Sequence, residues 1–204
     1  ETVEALSSRL RFLRQQKVVL ILFLATVCAS GLEMCLIGFM TTFLMELRNH
    51  SQVTSKIGLL LFLSGIGLGR LLVGFFAKRV QILDLICSLF ALSAAFLLVV
   101  LLVQTTALTY MFIFLSGVAI SALFPLLVAY AGIRYKDIPG TVLGIIKLAL
   151  PLGGILLPLA FSLISEYATL RISMLMFPAI ALAGFMIVFL SRSRLLKAST
   201  SPSR

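Results

Sequence analysis

The chain has 204 residues, 61% apolar and 12% charged, with no tryptophan, a net charge of +10 and a mean hydropathy of +1.17. That composition excludes a water-soluble globular surface and makes the bilayer the expected solvent. It also excludes nucleic acid as a partner, because the basic residues sit in short breaks between apolar runs instead of clustering on one polar face beside aromatics.

Residues 1–17 are polar and basic, with Val3, Leu6, Leu10 and Leu13 at helical spacing among Arg9, Arg11, Arg14 and Lys17. The segment lacks the apolar core of a secretory signal and is expected to be an amphipathic cytoplasmic linker along the membrane surface. A helix needs about 20 apolar residues to cross roughly 30 Å of hydrocarbon. Six runs reach that length: 18–45, 56–77, 82–103, 107–132, 140–165 and 171–191. The predicted bundle therefore covers 18–191, and 192–204, with Arg192, Arg194, Lys197 and Arg204, is expected to be a basic cytoplasmic tail. No stretch alternates as a membrane barrel strand would. The expected fold class is an all-α membrane protein with six transmembrane helices.

Orientation follows from the excess of Lys and Arg in cytoplasmic loops. The first 17 residues, the Lys78–Arg79 and Arg134–Lys136 loops and the tail hold 12 of the 17 basic residues, whereas the other side has Arg48, Lys56 and Arg171. Both ends are thus expected to be cytoplasmic, in agreement with an even number of crossings, and the plasma membrane is the expected location.

Three charges fall deep inside the spans, away from their first turns: Glu33, Arg70 and Lys147. Charge within a span is costly and marks function. Glu33, near mid-membrane, reads as a proton-carrying or substrate-contacting group, or else as a protonated carboxyl bonded to a neighbouring helix. Arg70 and Lys147 lie about seven residues from the cytoplasmic ends of their helices, roughly 10 Å deep. On that count Glu33 sits about 10 Å further out, too far for a direct pair with either. The sum of +1 leaves room for an anionic substrate.

Gly65-x-x-x-Gly69 and Gly140-x-x-x-Gly144 have the spacing of close helix approach. The fifth span carries Pro151, Gly153, Gly154 and Pro158, which should break or bend it, as in helices that line transporter cavities. Pro125 and Pro178 read as isolated kinks. Cys28, Cys35 and Cys87 have neither C-x-x-C spacing nor a nearby His, so no metal, disulfide framework or cofactor is implied. Catalysis is disfavoured: the one histidine, His50, is in a loop, and the aspartate closest to a span interior, Asp84, stands near the start of the third, so a serine would lack its base.

The string Gly69-Arg70-Leu71-Leu72-Val73-Gly74-Phe75-Phe76-Ala77-Lys78-Arg79 resembles the second-helix signature of the major facilitator superfamily, a glycine-rich helix running into a basic cytoplasmic loop. Gly153-Gly154-x-x-x-Pro158 is similar to the eleventh helix of its sugar-transporting branch related to fucose permeases. Lys78 stands where that family has an acidic residue, and Val80-Gln81-Ile82 replaces the closing glycine and second basic cluster. A worn copy of this kind belongs to the C-terminal repeat, so the resemblance implies helices seven to twelve of a twelve-helix bundle. It further implies alternating access by an N-terminal six-helix half and this one, with Glu33 nearest the substrate and Arg70 and Lys147 nearer an inner gate. The expected function is a secondary active transporter of a small polar solute, a sugar or organic anion, with proton symport as one reading. The alternative is a six-helix scaffold or assembly subunit without transport.

Overall fold

The computed structural model describes residues 2–77, 79–136 and 139–197, with side chains from residue 17 onward except Phe76 and Lys197. Expectations resting on Lys78, on Arg204 and the rest of 198–204, or on the side chains of 2–16 lie outside the described residues. Six helical stretches are long and apolar enough to cross a membrane: Lys17–Leu47, Gln52–Phe75, Ile82–Leu102, Thr106–Arg134, Pro139–Tyr167 and Leu170–Leu190. No strand occurs among the described residues. The second span starts four residues before the apolar run, because Ser51 Oγ accepts from the Thr54 N–H and caps a polar first turn.

The first span consists of α1 (Thr2–Thr42) and a π-helical turn, Phe43–Leu47. No break separates residues 2–17 from the span. The second and third spans are α2 (Gln52–Phe76) and α3 (Ile82–Leu102). Each remaining span is interrupted: α4 (Thr106–Ile120) and α5 (Leu123–Arg134), α6 (Pro139–Lys147) and α7 (Ala149–Tyr167), α8 (Leu170–Met174) and α9 (Met176–Leu190). A short α10 (Arg192–Lys197) follows. The three breaks share a cause. Proline lacks an N–H and crowds the carbonyl four residues back, and Ser121, Lys147 and Met174 stand four residues before Pro125, Pro151 and Pro178. Pro125 and Pro178 therefore interrupt their helices as Pro151 does, while Pro158 lies within α7.

Glycines set two close crossings. A Cβ on Gly65 would overlap the Phe114 carbonyl, one on Gly69 would crowd Val118 and Ser121, and one on Gly117 would overlap the Phe62 carbonyl, so α2 and α4 pack backbone to backbone. Gly31 and Gly153 do the same where α1 meets α7. Gly154 makes only ordinary contact with Met34, and Gly74, Gly140 and Gly144 face open space. The close approach expected at Gly140-x-x-x-Gly144 is thus not met within this bundle, and Gly74, a residue of the signature string with a packing or gating role in view, packs against no helix in it.

The apolar core forms two clusters, one containing Leu22, Ile86, Phe90, Leu123 and Val188, the other Leu32, Phe62, Leu97, Ile113 and Ala181. Between them lie Ser30 on α1, Arg70 on α2, Ser93 on α3 and Ser121 after α4. A polar layer thus crosses the bundle near mid-height. The single Ser30 hydroxyl proton lies within reach of the Thr26 carbonyl (2.8 Å) and the Ala149 carbonyl of α7 (3.1 Å), which satisfies a hydroxyl that hydrocarbon would penalise.

Polar contacts also tie the two ends. At one, Arg48 donates to the Val100 and Leu101 carbonyls at the C-terminus of α3 (2.7 and 3.2 Å) and to Gln104 Oε1 (2.8 Å). These are carbonyls that a helix end leaves unpaired. At the other, Arg192 pairs with Asp84 (2.6 Å), while Tyr130 and Arg134 both donate to the carbonyl of the buried Leu195. The start of the expected tail is therefore helical and docked on the bundle.

Candidate functional site

The polar layer culminates in an ion pair. Arg70 Nη2 lies 2.9 Å from Glu33 Oε1, and Arg70 Nε donates to the Ser121 carbonyl at 3.4 Å. Three elements meet here, and each has a local reason. Glu33 follows Thr26 and Ser30 at helical spacing, forming a buried polar stripe on α1. Gly65 and Gly69 let α2 approach α4 closely enough for Arg70 to reach the break. Pro125 cannot donate to the Ser121 carbonyl, so the oxygen is free to accept from Arg70.

This geometry corrects the separation expected between Glu33 and Arg70. The expectation counted depth from the cytoplasmic ends of the helices and took those ends as level. They are not. Gly69 sits against Val118 and Ser121, near the middle of the fourth span, although it is only seven residues from the end of α2. Measured from the connection at 48–51, Arg70 is about four residues, or roughly 6 Å, deeper than Glu33, which its long side chain covers.

The pair is asymmetric. The Glu33 side chain is 10% exposed and that of Arg70 53% exposed. The carboxylate is thus held within the bundle while the guanidinium opens onto the face of α2. An ionised carboxylate alone at this depth costs about 3 kcal/mol on insertion scales. Removing one partner of a buried pair is worse than never having had it.

Lys147 is not part of this cluster. It is exposed at the end of α6 and makes no hydrogen bond or ion pair with a described residue. Its helix and α2 nevertheless share a property: each exposes a stripe of polar or small residues among larger apolar ones such as Leu60, Leu71 and Ile145. Ser64, Gly67, Arg70 and Gly74 recur at helical spacing on α2, as do Thr141, Gly144, Lys147 and Pro151 along α6 and α7. Pro151 is exposed on this face, whereas Gly153 is buried at the α1 crossing and Gly154 and Pro158 are half-buried.

Sequence reasoning missed Ser121, Ser30 and Gly31. Ser121 had a signal, since it is the residue whose carbonyl Pro125 frees; Ser30 and Gly31 had none beyond small size. No group of three or more potential metal ligands occurs among the described residues.

Residues 4–204 match the family described as Major Facilitator Superfamily. Among solved structures, the chain is similar to that titled "In meso crystal structure of the POT family transporter PepTSo", with a TM-score of 0.76 and 15% identity. The similarity covers 86% of this chain and 37% of that one, so the chain spans little more than a third of that transporter's length. At that identity it speaks for the fold alone. No curated protein matches. The sequence match covers nearly the whole chain, and the six-span bundle agrees with it: the chain belongs to the Major Facilitator Superfamily.

Proposed function

We propose that this chain is the C-terminal half of a secondary active transporter that moves a small polar solute, a sugar or organic anion, by alternating access. The observation that carries the reading is the Arg70–Glu33 pair, set at mid-height with its guanidinium on the open face of α2. A cation anchored there attracts an anionic or hydroxyl-bearing solute. A carboxylate released from it in a low dielectric takes up a proton. Competition between solute and Glu33 for Arg70 thus couples solute binding to protonation.

The opposing wall is an N-terminal six-helix half of the same polypeptide, packed over the small and polar residues of α2, α6 and α7. The breaks at 121–122 and 147–148 are the flexible points of the rocking bundle. Both chain ends lie in the cytoplasm, by the distribution of Lys and Arg.

The test is uptake by proteoliposomes containing the complete polypeptide, screened against sugars and organic anions with and without an inward proton gradient. Uptake of one class is expected, with E33Q losing the response to the gradient. If no solute of either class accumulates and the protein is recovered bound to other membrane proteins, the scaffold reading replaces this one.

A further inference from the structure

At the end of the bundle opposite Asp84 and Arg192, a cavity of about 340 Å³ opens where the first, third and sixth spans meet. Its polar lining is Arg48, Gln104 and Arg171, and each of the three has hydrogens left to donate. Arg48 carries five N–H donors, of which those on Nη1 and Nη2 reach Gln104 Oε1 and the Val100 and Leu101 carbonyls. Its Nε–H is buried without a partner among the described residues. Because Gln104 Oε1 is taken, the amide NH2 is what Gln104 has left to offer. Arg171 is exposed and makes no hydrogen bond or ion pair with a described residue.

The charges are equally one-sided. Burial and the nearby Arg171 both push Arg48 below the ordinary arginine range. Glu46 and Glu166, the carboxylates closest along the chain, pair with neither arginine, and no carboxylate lines the cavity among the described residues. On its membrane side the cavity is shut. Phe43 and Leu101 stand there as its wall, and the void behind them, lined by Met40, Leu97 and Phe177, encloses only about 20 Å³ among residues 3% exposed. A ligand must therefore be compact, enter from the side of the connections at 48–51 and 103–105, and bring negative charge and acceptors.

We infer that this cavity binds one small divalent oxyanion of the phosphate or sulfate kind, held between Arg48 and Arg171 with the Gln104 amide as a further donor. Two guanidinium groups call for two negative charges, which a halide or a monocarboxylate does not supply, and their planar donors match the oxygen edges of such an ion. A water needs about 15 Å³ of such space, so the cavity admits the ion with part of its hydration. Bound there, the ion extends to the sixth span the tie that Arg48 already makes between the first and the third. The site is separate from the Glu33–Arg70 pair and does not depend on the transport reading.

The test is modification of the complete polypeptide, delipidated in neutral detergent, by the arginine reagent phenylglyoxal, followed residue by residue by peptide mass spectrometry. Sulfate near saturation is expected to slow the reaction of Arg171 about fivefold relative to chloride at equal ionic strength. The exposed Arg194, at the other end of the bundle, should react alike in both salts. Leu102 lines the cavity and is 68% exposed, so L102E places a carboxylate on the rim without touching either arginine. L102E is expected to abolish the sulfate effect by answering the charge from within, whereas L102Q, of similar shape without the charge, keeps it. Equal rates for Arg171 in sulfate and chloride, or equal slowing of Arg171 and Arg194, overturns the inference, as does any result in which L102E and L102Q behave alike. So does protection of Arg171 by added phosphatidylglycerol where sulfate gives none, which assigns the arginines to a lipid headgroup.

Discussion

Two exposed faces of the bundle differ in chemistry. On α9 the exposed residues from Ala179 to Leu190 are Ala179, Leu182, Ala183, Met186, Phe189 and Leu190, and on α3 those from Ala91 to Leu102 are likewise all apolar. On α2, α6 and α7 the exposed surface includes Ser64, Gly67, Arg70, Gly74, Gly144 and Lys147, set among exposed apolar residues such as Leu71 and Ile155. Lipid tails solvate the first face well. They have nothing to offer a guanidinium, an ammonium or exposed glycine backbone at comparable depth. Exposure therefore differs within one molecule: the third and sixth spans offer only apolar side chains over these stretches, whereas the second and fifth carry, among exposed leucines and isoleucines, a stripe suited to protein or water.

The comparison breaks most severely at Arg70. R70Q strands the Glu33 carboxylate, a loss of about 3–5 kcal/mol if the pair is shielded and less where water reaches the guanidinium. We expect R70Q to cut the yield of folded protein in detergent more than E33Q does. The double variant E33Q/R70Q should recover most of the loss, because it leaves no unpaired charge. A double variant as unstable as R70Q would mean that the Ser121 contact, not the ion pair, holds the site.

Next in size are the glycines buried between helices. G65A or G117A forces α2 and α4 apart, at about 1–3 kcal/mol, and should lower the Tm of the purified protein. G67A and G74A place the new methyl in open space and should leave the Tm unchanged or slightly raised. G144L sharpens the contrast between the faces: it should spare the Tm but abolish uptake, since its bulk enters the surface proposed above to face a second half. The smallest effect is expected of D84N. Asp84 and Arg192 are 38% and 43% exposed, and a pair of that exposure contributes at most about 1 kcal/mol.

Much of the fold was legible because membrane helices must be long and apolar, and charges and turn residues punctuate them. Span bounds came within four residues, and the Pro151 region was read as a break. Pro125 and Pro178 were underestimated because the rule that places a break four residues upstream was not applied to single prolines. The Glu33–Arg70 contact was not legible, since vertical offset between helices depends on which glycines meet which backbone. Gly69 against Val118 and Ser121 fixes that offset, and spacing along one helix carries no trace of it. For the same reason Gly140-x-x-x-Gly144 matched Gly65-x-x-x-Gly69 in pattern, yet only the latter packs within this bundle. The outer arginines were read as loop charges. Arg48 bonds instead to carbonyls more than fifty residues later, at the end of another helix.

The most direct measurement of the central claim compares single cysteines at Lys147 and Leu182 in native membranes, with the three natural cysteines replaced by serine. The account predicts that a small charged thiol reagent labels K147C, on a face bounded by water and protein, and leaves L182C, facing lipid, to lipophilic reagents alone. Labelling of both positions only by the lipophilic reagent would contradict it, because the second and fifth spans would then face hydrocarbon as the third and sixth do.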